Sequence, residues 1–134
     1  MRTIQALTLW VMAMTSGKAL SQEIPAEFHG TWKPRHQHCQ GGAAMVVDRE
    51  SITLKSTQRS QRFSNVDVCA SCEGGARYSG IVVWAMPGAL KGDIPFTVKF
   101  NADEQRGVAV IEAGDAESLA RRFAVVGVPL EKCP

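Results

Sequence analysis

Two cysteines separated by two residues form the stretch with the most obvious capacity for chemistry. They are Cys69 and Cys72, within residues 66–75 (VDVCASCEGG). A redox-active pair needs its first cysteine at a helix N-terminus, where the thiol becomes more acidic and the sulfur more nucleophilic. Here the pair follows a strand-like run and precedes Glu73 and two glycines, with no helical pattern behind it. A thiol-redox function is therefore only an alternative interpretation.

The same two cysteines could also contribute to a metal site. His36 and His38 lie just before Cys39, so His36, His38, Cys69 and Cys72 would make a tetrahedral set of two imidazoles and two thiolates, which suits zinc. His-x-His is a loose substitute for the usual zinc-ribbon spacing, and an oxidising compartment converts paired thiols to a disulfide. We expect no metal and no other cofactor, with this ligand set as the alternative.

No complete catalytic pattern accompanies these residues. The chain has three histidines and several serines and aspartates, but no Gly-x-Ser-x-Gly turn that would present a nucleophile. The acidic pairs Asp103/Glu104 and Asp115/Glu117 lie in turn-like segments, where solvated carboxylates are the simpler interpretation. We therefore expect a non-enzymatic protein.

The first 21 residues have the pattern of a secretory signal peptide. Arg2 supplies a positive start, residues 4–14 (IQALTLWVMAM) are apolar, and Ala19-Leu20-Ser21 is a small-x-small cleavage signal. The apolar run is shorter than the about 20 residues that a membrane-spanning helix needs. We predict cleavage after Ser21, a single mature domain of residues 22–134, and a periplasmic or secreted location in a bacterium, without membrane insertion.

Cleavage also changes the charge balance. It removes Arg2 and Lys18, so the basic residues fall from 15 to 13, against 13 acidic ones. A mature chain with no net charge and no basic run lacks the electrostatic footprint of a nucleic-acid-binding protein. The expected partner is a small apolar ligand or another envelope protein.

All four cysteines lie in the mature chain, and an even number in a small exported protein predicts two disulfides. Three connectivities are possible, and we favour Cys39–Cys133 with Cys69–Cys72. A bond to Cys133 would hold the end of the chain, which otherwise frays. The Cys69–Cys72 bond is then expected to staple a loop tip between a strand that ends at Val68 and one that begins near Tyr78.

Short β segments separated by turns dominate the mature chain. Residues 43–48 and 51–56 flank a polar turn and predict a hairpin, as do residues 95–100 and 107–112. Residues 78–86 (YSGIVVWAM) are apolar on both faces over their second half, as in a central strand or one covered by a loop. Phe63 is out of phase with the valines that follow it, which predicts a bulge or a late strand start.

The stretch 115–123 (DAESLARRF) fits two interpretations. Asp115 could cap a short helix with Leu119 and Phe123 on one face. We favour a strand that continues through residues 124–126, because a two-turn helix gains little stability alone. The total is about eight strands, which predicts an all-β fold: a small antiparallel meander barrel, with a β-sandwich as the alternative.

Residues 24–32 (IPAEFHGTW) resemble the N-terminal segment of the lipocalins, in which a short helical turn leads into a Gly-x-Trp at the start of the first strand. The resemblance implies that Gly30 and Trp32 close the base of a barrel. The mature chain is also similar in outline to short exported proteins of proteobacteria that share this segment and a final cysteine. At 113 residues it is shorter than a typical lipocalin, and a barrel of about eight strands can be filled by its own side chains.

Large aromatic residues at inward-looking strand positions predict the core: Trp32, Trp84, Phe96 and Phe100. If Trp84 or Tyr78 instead faced a pocket, it would suit an apolar ligand. The sequence as a whole predicts an exported β-barrel that acts as a binding, interaction or inhibitor module.

Overall fold

Short runs of alternating apolar residues form nine strands within residues 23–74, 79–86 and 94–134, the part of the chain that this computed structural model describes. The predicted signal peptide and Tyr78 lie outside the described residues. The strands are β1 (Gly30–Pro34), β2 (Ala44–Val47), β3 (Ile52–Lys55), β4 (Ser60–Phe63), β5 (Val66–Gly74), β6 (Ser79–Ala85), β7 (Phe96–Phe100), β8 (Val108–Ala113) and β9 (Leu130–Lys132). The described residues also form the 3₁₀ turns Ala26–Phe28 and Ala102–Glu104 and the helix α1 (Ala116–Arg122).

The strands form one antiparallel sheet in the order β4-β3-β2-β1-β9-β8-β7-β6-β5. The first strand pairs with the last, so the meander curls back on itself and is open between β4 and β5 alone among the described strands. These two edges are joined by only Ser64 and Asn65, and the backbone N–H of Met86 donates to the carbonyl of Asn65 at 2.9 Å. The predicted all-β meander barrel is confirmed in this nearly closed form, and the sandwich alternative is wrong.

Large side chains from distant strands meet in the barrel interior. Trp32 is 1% exposed, and its indole Nε1 donates to the carbonyl of Phe28 at 2.9 Å. Both rings pack against Phe100, with centroids 5.2 Å and 4.7 Å from it, respectively. Phe63 and Phe96 form a second edge-to-face pair with centroids 4.8 Å apart. Side chains therefore fill much of the space in which a larger barrel would hold a ligand.

The change of phase at Phe63 marks a strand boundary. Phe63 is the last residue of β4, and β5 begins at Val66 after the two-residue connection. Both Phe63 and Val68 are buried, although they belong to strands at the two open edges of the sheet. The late strand start is therefore the correct interpretation of this stretch.

The prediction of a strand over residues 115–126 is wrong, because residues 116–122 form α1. The Asp115 side chain accepts a hydrogen bond from the backbone N–H of Ser118 at 3.1 Å, which caps the helix. Leu119 and Phe123 are buried in the same apolar cluster as the strands. A two-turn helix that is marginal alone is thus stabilised by burial of one face against the barrel.

Candidate functional site

Cys69 and Cys72 are joined by a disulfide inside β5, with their Cα atoms 5.5 Å apart. The expected position at a loop tip is therefore wrong. Cys69 pairs with Val82 and Glu73 pairs with Gly80, so three residues of β5 stand opposite one residue of β6. The bond spans this bulge, and the bulge shifts the register along an edge strand, a common protection against pairing with another chain.

The alternative metal site is not assembled. His36 and His38 are exposed in the loop after β1, whereas Cys69 and Cys72 lie on β5, which is separated from β1 by three strands in one direction and four in the other. In the part of the chain that the structure describes, no group of three or more His, Cys, Asp or Glu side chains could hold a metal ion. The barrel geometry keeps the imidazoles away from the sulfurs, and the sulfurs are bonded to each other.

The second disulfide joins Cys39, in the loop after β1, to Cys133, at the end of β9, with Cα atoms 5.8 Å apart. The backbone N–H of Cys133 also donates to the carbonyl of Thr31 at 2.8 Å. Arg35 and Glu131 add an ion pair between the same two segments, with Nε and Oε1 2.9 Å apart. These contacts fix the β1–β9 junction, where the two ends of the meander meet.

An apolar groove lies on the outer side of β6, β7 and β8, at the strand ends where Ala85, Phe96 and Ala113 pair, and the buried Phe96 borders it from the interior side. Ile81, Val83 and Ala85 of β6 are buried in the interior, so Trp84 lies on the opposite face. Its neighbour Met86 is 44% exposed. The groove has a volume of ≈ 380 Å³. Its lining residues are Trp84, Met86, Pro95, Phe96, Thr97, Glu112, Ala113 and Gly114.

The prediction that Trp84 belongs to the core is therefore wrong, and the alternative that it faces a pocket fits the structure. β6 is apolar on both faces, since Val82 is also buried on the outer side. Period-two alternation consequently carries no phase information along this strand. Met86 was missed for the same reason, and the signal that could have found it is the apolar run of β6, which is longer than one buried face requires. Pro95 lies outside that run, just before β7, and no sequence signal identified it.

Polar groups at the groove are paired with one another. The Nζ of Lys99 lies 3.0 Å from Oε2 of Glu112, and the hydroxyl of Thr97 donates to the carbonyl of Glu112 at 3.4 Å. The hydrogen bond with Glu112 raises the pKa of Lys99, so this lysine is charged at neutral pH. Because the two charges offset each other, the groove offers apolar contact without a net charge.

These features define a class: a small antiparallel β-barrel with two disulfides and an apolar groove on its outer face. No protein-family model, curated protein or solved structure matches this chain. In the described part of the chain, no helix has the length and apolar character to cross a membrane.

Proposed function

We propose that this protein is an exported binding protein that holds a small, uncharged apolar molecule in the groove beside Trp84. The observation that carries the proposal is the outward-facing indole, which lines the same groove as an exposed thioether and a proline. A volume of ≈ 380 Å³ falls within the range of small-molecule pockets, about 300–1,000 Å³.

The chemistry of the lining favours an uncharged ligand. Indole, thioether and pyrrolidine groups supply apolar contact area, and an aromatic ligand could also stack on Trp84. Among the lining residues named above, Glu112 is the charged one, and its ion pair with Lys99 offsets that charge. Small-molecule binding would also be consistent with the lipocalin-like segment at residues 24–32, although the groove lies outside the barrel rather than within it.

Tryptophan fluorescence provides a specific test. The predicted mature chain has two tryptophans, Trp32 and Trp84, and the first is fully buried. Titration with N-phenyl-1-naphthylamine, an uncharged aromatic probe, should give saturable one-to-one binding with energy transfer from Trp84. The variant Trp84→Phe should reduce the energy transfer, because it removes the donor that lines the groove and leaves the buried Trp32 as the remaining donor.

Two further variants separate groove binding from adsorption to the surface. Trp84→Ala should weaken binding at least tenfold, because about 60 Å² of lost apolar contact corresponds to ~1.5 kcal/mol. Thr53→Ala changes an outward-facing residue on β3, away from the groove, and should leave the affinity unchanged. Non-saturable binding, or binding that Trp84→Ala leaves intact, would rule out the proposed ligand site.

Export is tested separately. The protein purified from its host should be recovered from the periplasm or the medium with Gln22 as its N-terminal residue, as mass spectrometry of the intact protein would show. Recovery from the cytoplasm with residues 1–21 attached would contradict this part of the proposal and leave the ligand site unaffected.

A further inference from the structure

The strand charges are divided unevenly around the barrel. The charged residues of β1–β4 are Lys33, Lys55 and Arg62, all of them basic. Within β5–β8 the charged residues are Asp67, Glu73, Lys99 and Glu112, three acids and one base. A mature chain without net charge thus has a basic outer wall on one half, and net charge alone hides this asymmetry.

Two of these lysines face outward in one row across three strands. Trp32, Met45 and Leu54 are buried in the interior, so Lys33, Ala44 and Lys55 lie on the outer face. Ala44 pairs with Lys55 across β2 and β3, and Lys33 is on the adjacent strand beside Ala44. Directly opposed residues of antiparallel strands share a face. The small side chain of Ala44 therefore leaves a space between the two lysines.

Lys33 is an unusual member of this row because it is only 3% exposed. Its Nζ donates to the backbone carbonyl of Gly41. Among the described residues no carboxylate lies within ion-pair distance of it, and Glu131, its cross-strand neighbour on β9, is paired with Arg35 instead. An ammonium group has three donors, and burial of a charge without a counter-ion is costly.

A pocket of ≈ 230 Å³ adjoins this ammonium group. Its polar lining comes from Lys33, Lys55 and Thr31, and its outer wall from Gly41 and Gly42 in the loop that ends at β2. Both glycines have positive φ, +65° and +69°, which lets the loop fold over the lysine without a side chain in the way. The Cys39–Cys133 bond anchors the same loop.

We propose that this pocket, the Lys33 pocket, binds a small oxyanion between the ammonium groups of Lys33 and Lys55, with the Thr31 hydroxyl as a further donor. An anion supplies the counter-charge that buried Lys33 lacks. The pocket is several times larger than the about 30 Å³ that a water molecule occupies in the liquid, so a tetrahedral oxyanion fits. The site lies on β1–β3 and is independent of the Trp84 groove.

Inorganic phosphate and acetate are the probes, titrated at constant ionic strength with chloride so that general screening does not change. Amide chemical shifts of Gly41 and Gly42 report binding. Phosphate should shift these amide resonances saturably. It should also bind more tightly than acetate, because the dianion interacts with both lysines. Saturation with acetate alone would also support the site and would identify a carboxylate as the preferred group.

Lysine variants identify the site. Lys33→Met should abolish the saturable shift, and Lys55→Met should weaken it about two- to fivefold, as expected for an exposed charge. Lys132→Met is the matched control and should have no effect, because its ammonium group donates to the backbone carbonyl of Glu27 instead. A shift that grows linearly without saturation, or a saturable shift that survives Lys33→Met, would overturn the proposal. If Lys33→Met does not fold, an unchanged affinity in Lys55→Met would overturn it instead.

Discussion

The long-range disulfide is expected to supply a large share of the stability of this small barrel. The test replaces both Cys39 and Cys133 by Ser, which removes the cross-link without leaving a reactive thiol. Its matched control replaces both Cys69 and Cys72 by Ser in an otherwise identical chain. Both variants remove one bond and two sulfur atoms, so their difference isolates the effect of the length of chain that each bond closes.

The expected magnitude follows from the sequence separations. Cys39 and Cys133 are 94 residues apart, whereas Cys69 and Cys72 are 3 apart. On the chain-entropy model the longer loop constrains the unfolded state by about 4–5 kcal/mol at 25 °C, and the shorter one by roughly 1–2 kcal/mol. Folding free energies of single domains are about 5–15 kcal/mol, so loss of the long-range bond is a large perturbation.

The position of the long-range bond adds a local effect. β9 has only three residues, and its described ladders pair three residues with β1 and two with β8. It is nevertheless the strand that joins the two ends of the meander. Without the bond at Cys133, we expect β9 to exchange its amide hydrogens faster than the strands on either side.

Urea unfolding at pH 7, followed by fluorescence and circular dichroism, measures the effect. The Cys39/Cys133 variant should lose about 3 kcal/mol more than the Cys69/Cys72 variant. Equal losses, or a larger loss from the short-range pair, would refute the explanation based on loop closure. The chain-entropy model places the effect of the bond in the unfolded state. A changed slope of the unfolding free energy against urea concentration would show such a change in the unfolded state.

Three further predictions concern a tightly packed glycine, the attachment of α1 to the core and the cap of α1. Gly80→Ala would place a Cβ against the carbonyl oxygen of Phe100 and should destabilise the fold by about 1–3 kcal/mol, whereas Gly114→Ala, which meets open space, should be nearly neutral in thermal unfolding. Leu119→Ala removes a buried side chain that attaches α1 to the core and should cost about 2–5 kcal/mol in urea unfolding. The backbone hydrogen bond from Ser118 lowers the pKa of Asp115. The ionised cap therefore stabilises the fold at neutral pH, and this stabilisation is lost as the pH falls below about 4 and through the lowered pKa of the folded state. Asp115→Asn should therefore lower the urea midpoint at pH 7 and converge with the parent protein at pH 2; a constant difference would contradict the assignment.

Strands with one buried face were predictable from the sequence. In β3 and β7, apolar residues alternate with polar ones, and the structure buries Ile52 and Leu54, and Phe96, Val98 and Phe100. The two hairpins also have the expected connections. Alternation of apolar and polar residues is a local property of the chain, and it is enough to determine which face of a strand is buried.

The predictions from sequence were wrong where two local conformations have similar energies. Residues 115–123 could form a helix or a strand, and burial of Leu119 and Phe123 against the barrel decided for the helix. Either set of alternate residues in β6 could face the interior, and the pairing of Trp84 with Thr97 placed the indole outside. In both cases the deciding contacts come from residues that are distant in sequence, which no local pattern contains.

The sequence by itself therefore determined the all-β class, the meander order and the composition of most of the interior, because these depend on alternation and turns. Only the tertiary structure decided how β1 meets β9, which side of the wall carries Trp84, and that Lys33 is buried with no carboxylate partner among the described residues. The physical reason is that each of these depends on contacts between distant parts of the chain. Arg35 and Glu131, which are 96 positions apart, show this most directly, because their ion pair engages the cross-strand neighbour of Lys33 on β9.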